Sequence, residues 1–247
     1  MKASKFWIAL LAIGLTVTTV YGQQFHLSGT LQNMHLWRGL QVADGGVLAA
    51  DVNVGFFNDG LKVGLWGGTD LTGDYKEFDY YLSYSVSGFT VAVWDICNYS
   101  PSLPFSKNIF NYNKYSTTHF LDLSVAYDFG AVSKIPLRLS WATIFAGRDL
   151  NVAGNNRYST FVYGEYSLFR NEQWQVDLGL GGTFAFNRAS ADGSANFYGN
   201  DCVNQISLKT TYNLHIGRFA LPIFAHAMWN PDLKDGYLQV GVNLFAF

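Results

Sequence analysis

Ten ionisable side chains stand where a strand would gather them on one face: Asp51, Lys62, Glu77, Asp79, Asp122, Asp128, Arg138, Glu165, Asp177 and Lys209. Their immediate neighbours are apolar and share the opposite parity, as Leu48, Ala50, Val52, Val54 and Phe56 do around Asp51. Successive side chains of a strand face opposite ways, so this spacing makes one oily face and one wet, charged face. The chemistry open to such a face is electrostatic filtering rather than bond making. Carboxylates outnumber bases seven to three in the set. Rings of acidic groups favour cations and repel anions, so the spacing predicts a mild cation preference. The alternative is that these charges pair across an enclosed space and plug it.

Catalysis has little to stand on. His26, His35, His119, His215 and His226 are scattered, and no G-x-S-x-G, H-E-x-x-H or clustered metal spacing occurs. His119 would reach Asp201 or Asp149 only through loops. No metal or cofactor is expected, and the chain does not read as an enzyme. A net charge of −2 offers no basic surface for nucleic acid.

The elements that must position the charges are strands. The chain has 247 residues, 49% hydrophobic and 17% aromatic, with only 14% charged. Soluble domains carry about 25% charged residues. Beyond the first two dozen residues no apolar run is long enough for a membrane helix. Leu48–Phe56, Leu61–Leu65, Phe78–Val86 and Phe89–Val93 alternate cleanly, with turns at Asn58-Asp59-Gly60, Thr72-Gly73-Asp74 and Ser87-Gly88. Phe25–Trp37 precedes them, followed by a polar loop over Arg38–Gly46. A long loop spans Cys97–Thr117. Strands then fall near Leu121–Phe129, Ile135–Trp141, Tyr158–Phe169, Trp174–Phe186, Gln205–Leu214, Phe219–Trp229 and Tyr237–Phe247, with loops over Arg148–Arg157 and Asn187–Asn204.

About twelve strands with alternate short turns predict an all-β, transmembrane, antiparallel up-and-down barrel. Closure is required because an open edge in lipid leaves backbone N–H and C=O groups unpaired. Strand spacing and tilt put the backbone cylinder at roughly 24 Å across. The wet face then lines the lumen.

Lys2, Lys5 and the apolar run Phe6–Leu15 read as a secretory signal, with Val20-Tyr21-Gly22 placing small residues at its end. Cleavage after Gly22 makes residues 23–247 the barrel and the outer membrane its location. The terminal Phe247 matches the aromatic ending of barrel-assembly signals. It is out of phase with Leu238, Val240, Val242 and Leu244, so either a bulge shifts the register or Phe247 faces inward.

Several residues carry two readings. Trp37 and Arg38 sit at the outer rim, Arg38 as a contact for solute or lipid phosphate, or simply as an interface residue. Trp174 and Trp229 fit an aromatic girdle. Trp66 and Trp94 fall in the inward phase and either stack on a ring-shaped solute or pack under a loop. Cys97 and Cys202 permit one disulfide, which would draw the Cys97–Thr117 loop across the mouth, or remain free thiols.

The run from Leu36-Trp37-Arg38-Gly39-Leu40 to Asp95 resembles the start of the TorF-like porins, also called the Gcw-chp family. The resemblance rests on Trp37-Arg38-Gly39, Gly64-Leu65-Trp66-Gly67 and Lys76-Glu77-Phe78-Asp79-Tyr80, in that order. Cys97 departs from it, standing where that family more often has an aromatic residue. The resemblance implies an outer-membrane barrel with a pore.

The expectation is therefore an outer-membrane, porin-like channel for passive diffusion of small hydrophilic solutes. Its partners would be outer-membrane lipid, those solutes and the barrel-assembly machinery. A closed structural or surface-interaction barrel is the alternative, and a lipid-modifying enzyme a third.

Overall fold

A computed structural model describes residues 22–246, apart from residues 190, 192 and 218. The leader read from Lys2, Lys5 and Phe6–Leu15, and the terminal Phe247, lie outside the described residues. The strands are β1 (Gln24–Trp37), β2 (Leu40–Phe56), β3 (Leu61–Asp70), β4 (Lys76–Val86), β5 (Phe89–Asn98) and β6 (His119–Asp128). They continue as β7 (Leu137–Gly147), β8 (Ser159–Arg170), β9 (Trp174–Ala185), β10 (Cys202–Ile216), β11 (Phe219–Asn230) and β12 (Asp235–Ala246). Each strand pairs antiparallel with its neighbours in sequence, and β1 pairs with β12, so the twelve form a closed barrel.

Exposure follows the predicted parity. Leu48, Leu65, Leu82, Leu123, Leu180 and Leu238 are exposed outward, whereas Asp79, Asp122, Asp177 and Ser207 are buried inward. An apolar belt of this extent would aggregate in water and is satisfied by hydrocarbon. Trp174 and Trp229 are exposed on this outer surface, near opposite ends of their strands. No helix among the described residues is long and apolar enough to cross a membrane.

The loop expected over Arg38–Gly46 is instead a continuation of the sheet. β1 and β2 form one long hairpin that closes at Arg38-Gly39, where φ is 49° and 85°. Positive φ at both central residues is what a two-residue type I′ hairpin demands. Ser87-Gly88 turns between β4 and β5 in the same way, with φ of 48° and 82°.

The upper part of this first hairpin leaves the barrel wall. β1 pairs with β12 only from Ser28 to Gln32, and β2 pairs with β3 only from Val47 onward. Residues 33–46 therefore pair chiefly with each other. Register shifts between Gln32 and Met34, and between His35 and Leu36, bend this segment. Asn33 covers the gap to β12. Its Nδ2 donates to Leu238 O at 3.0 Å and its Oδ1 accepts from Val240 N at 2.7 Å.

Near the chain end, Gly29 pairs with Phe245 but Thr30 pairs with Asn243, which leaves Leu244 in a bulge. The register does shift there, as the sequence phase allowed.

Gly64 of β3 tests how tightly the lumen wall is packed. A Cβ there would run into the ring of Tyr81, which is stacked on Trp94 and donates to Asp51. Gly64→Ala should lower unfolding stability by about 1–3 kcal/mol, read from urea unfolding of the barrel in lipid vesicles.

Candidate functional site in the barrel lumen

The bent hairpin carries its turn across the lumen. Asn204 of β10 donates to Arg38 O at 2.8 Å, and Asn230 of β11 donates to Gly39 O at 2.9 Å. From this anchored turn the Arg38 guanidinium reaches Asp122 on β6, far around the barrel. Both Nη atoms donate to the carboxylate at 2.7 Å, and Nη1 also donates to Tyr198 Oη at 2.8 Å. Asp122 is fully buried. A bidentate Arg–carboxylate pair is among the stronger charge-assisted contacts, and in a dry site its geometry must be kept.

Trp37 and Arg38 are therefore not rim residues. The break in the ladder at Asn33, between Gln32 and Met34, takes β1 out of the phase set by Phe25 and Leu27. Trp37 points inward against Phe120 at 5.8 Å and Tyr198 at 5.5 Å between ring centroids. Around them lies the main apolar cluster of the molecule: Ile96, Phe120, Ile144, Phe161 and Tyr198. The lumen is thus filled at its long-loop end by the hairpin and by Phe197-Tyr198 from the β9–β10 loop.

That loop is tied down by Asp232, in the β11–β12 turn. Asp232 accepts from Asn200 N at 2.9 Å and from Asn200 Nδ2 at 2.6 Å, and these bonds hold its carboxyl below the usual range. Asp149, at the start of the β7–β8 loop, accepts from Ser159 N and Oγ, yet burial pushes its carboxyl upward. Tyr198 is likewise pushed up to about 12 by burial, so its hydroxyl stays protonated as it meets Arg38.

Cavities remain inside the barrel beside these packed groups. One of about 340 Å³ is lined by His35, Trp37, Arg38, Trp66, Glu77, Asp79, Trp94 and Ile96. A second, of about 320 Å³, shares Trp37 and Glu77 with it and adds Phe120, Arg148 and Phe197. A third is a vestibule of about 730 Å³ at the short-turn end, walled by Asp128, Arg138, Glu165 and Asp177 among others.

The ten predicted lining charges fall into separate groups. Glu77 and Asp79 face the first cavity. Asp51 takes bonds from Asn53 at 2.7 Å and Tyr81 at 3.1 Å. Arg138 registers between Asp128 and Glu165, and Asp177 faces Lys209, whose ammonium lies 5.0 Å from the Phe224 ring. Lys62 lies 3.9 Å from Asp59 at the short-turn end. Asp122 alone of the ten is spent on the hairpin.

The cysteines are both free. Cys97 sits buried in β5 beside Thr118, and Cys202 lies in β10 opposite Thr183. Four strands stand between them, which no disulfide spans. The 99–118 loop also does less at the mouth than expected. Tyr112 donates to Asp95 at 2.6 Å, and Ile109 O meets His119 Nε2 at 2.9 Å, so this stretch covers outward-phase residues of β5 and β6. His119 meets Asp95 at 2.7 Å rather than Asp201 or Asp149, and both its ring nitrogens are engaged. That leaves it no free nitrogen for acid–base work.

Sequence reasoning missed His35, Arg148, Phe197, Tyr198, Asn204 and Asn230. Only Phe197-Tyr198 carried a signal, two adjacent aromatics inside a loop otherwise rich in Ala, Ser, Gly and Asn.

No family model and no curated protein matches the chain. Among solved structures it is similar to the NanC porin at 12% identity, over 89% of this chain and 98% of that one, with a TM-score of 0.45. It is similar to an outer membrane channel from Pseudomonas putida F1 at 12% identity, over 92% and 95%, with a TM-score of 0.40. A triple mutant of a Rhodopseudomonas blastica porin matches at 16% identity over 81% of this chain, with a TM-score of 0.39. The chain spans about half of that porin, 55% of its length. These are likenesses between strand barrels.

Asp122→Ala should strand the Arg38 charge in a buried site, at a cost of about 3–5 kcal/mol. Hydrogen exchange should then quicken over residues 33–46 and leave β7–β9 protected. A second outcome follows from Asp232, whose depressed carboxyl stabilises the fold above its unfolded range and loses that contribution as pH falls. Acidification should loosen the β9–β10 loop in wild type, measured by exchange at Phe197 and Tyr198, and Asp232→Asn should remove the pH dependence.

Proposed function

We propose that this barrel is a gated diffusion channel of the outer membrane for small hydrophilic solutes, with a mild preference for cations. The observation that supports this reading is the hairpin tip set across the lumen, its Arg38 side chain paired with Asp122 and its backbone bonded by Asn204 and Asn230, above a charged vestibule. The excess of carboxylates among the lining charges supports cation preference. On the same reading, residues 1–22 are a cleaved signal, the barrel-assembly machinery inserts residues 23–247, and no cofactor takes part. Trp37-Arg38-Gly39 and its companion motifs support a place among the TorF-like porins.

A second reading is favoured by the aromatic cluster around Trp37, which fills the lumen as a protein core would. There the barrel is closed, and its extracellular loops are the working surface.

Planar-bilayer recording of the refolded protein separates the two. Wild type should show small steps, and Arg38→Met and Asp122→Asn should raise conductance severalfold by freeing the hairpin. Neutralising Glu77 and Asp79 together should shift the reversal potential in a salt gradient toward zero selectivity. A folded barrel that stays silent in all variants would leave the closed reading standing.

A further inference from the structure

The first lumen cavity has a lining unlike the rest of the barrel. Three indoles reach it from three strands: Trp37 from β1, Trp66 from β3 and Trp94 from β5. Two carboxylates, Glu77 and Asp79, reach it from successive inward positions of β4. The barrel's register builds the combination, because Trp66 lies directly opposite Asp79 in the β3–β4 ladder.

Each ring is braced. Trp66 stacks on His35 at 5.5 Å, and His35 stacks on Tyr75 at 5.5 Å. Trp94 stacks on Tyr81 at 4.2 Å. Trp37 lies 4.6 Å from the Arg38 guanidinium. Rings fixed in advance spare a ligand the cost of ordering them.

One of the two carboxylates, Asp79, has no base facing it. Arg38 lines the chamber, but its charge is already answered by Asp122. Arg148 lies in the neighbouring cavity, which Glu77 also lines, so it offsets Glu77; there it stacks on Phe120 and Phe197 at 5.2 and 4.9 Å and donates to Thr118 O. Among the described residues neither Glu77 nor Asp79 forms an ion pair within 4.0 Å. Asp79 is 4% exposed, and its one hydrogen bond is from Cys97 N at 3.0 Å. Two carboxylates on one wall of a dry site disfavour each other's charge, which a proton or a bound cation relieves.

We propose that this chamber binds a small quaternary ammonium ion. Such an ion offers charge without N–H donors, so it asks for aromatic faces and nearby carboxylates rather than for placed acceptors. The volume of about 340 Å³ lies at the small end of the roughly 300–1,000 Å³ typical of ligand sites. The site stands on the chamber's geometry and does not depend on ions passing through the barrel.

The test is indole fluorescence of the refolded barrel titrated with choline, with calorimetry on the same samples. Sodium chloride at equal ionic strength and glucose serve as comparisons. Choline should give a saturable change and a binding isotherm, and the two comparisons should give neither. Asp79→Asn should weaken the affinity by about tenfold. Trp66→Phe should weaken it less, since a benzene ring keeps a π face. Both variants are checked for the strand circular dichroism of wild type.

No saturable response to choline, an equal response to glucose or sodium, or an affinity indifferent to Asp79→Asn in a folded barrel would each overturn the proposal. Because the readout is binding and not current, a silent barrel that binds choline rejects only the channel. A conducting barrel that ignores choline rejects only this site.

Discussion

A peptide group in hydrocarbon has no water to turn to, and the architecture follows from that constraint. Twelve strands satisfy it by pairing with both neighbours and closing β12 onto β1. Once the wall is closed, its outer face has only to be apolar and its inner face only to be polar. The alternation of the chain supplies both from one sequence. The short turns then need little beyond the correct backbone handedness, which Ser87-Gly88 shows most simply.

The long-loop end departs from this plan, and the departure is where the chemistry lies. A hairpin that leaves the wall gives up ladder bonds on both sides. Side-chain amides restore part of them at its base and its tip, through Asn33, Asn204 and Asn230. Its aromatic face is buried against Phe120, Phe161 and Tyr198 inside the barrel, so the apolar core lies within the lumen. The Arg38–Asp122 pair is best seen as a locating contact. Desolvating two charges offsets much of their attraction, but few other positions of the hairpin would satisfy both of them.

Most of the wall was legible in the sequence because a strand in lipid is a strict period-two object. β2 from Leu48 onward, β3 through β6 and β9 read almost directly from their alternation. The first hairpin was not legible for a related reason. Phase is inherited along a strand only while the ladder is regular, and the break at Asn33, between Gln32 and Met34, reverses it in β1 without any marker in the letters. Carrying the parity of Phe25 and Leu27 through to Trp37 placed Trp37 and Arg38 at the rim. The stretch Arg38–Gly46 looked like a loop because a strand exposed inside a lumen, unpaired on its outer edge, mixes Gln41, Asp44 and two glycines with its apolar residues. Cysteine count was similarly silent about distance, since Cys97 and Cys202 share an end of the barrel but not a sector of it.

Asn33 stands at the point where wall becomes plug, and its amide acts as a length of substitute main chain. One carboxamide presents an acceptor and a donor to β12, as the backbone of an adjoining strand would. Few side chains can impersonate a peptide in this way. Aspartate has the acceptor without the donor, serine is too short to bridge, and an apolar residue offers neither. The junction is therefore a chemical hinge pin: the hairpin can be bent away from the wall without opening the seam, because the seam is held there by a residue that belongs to both.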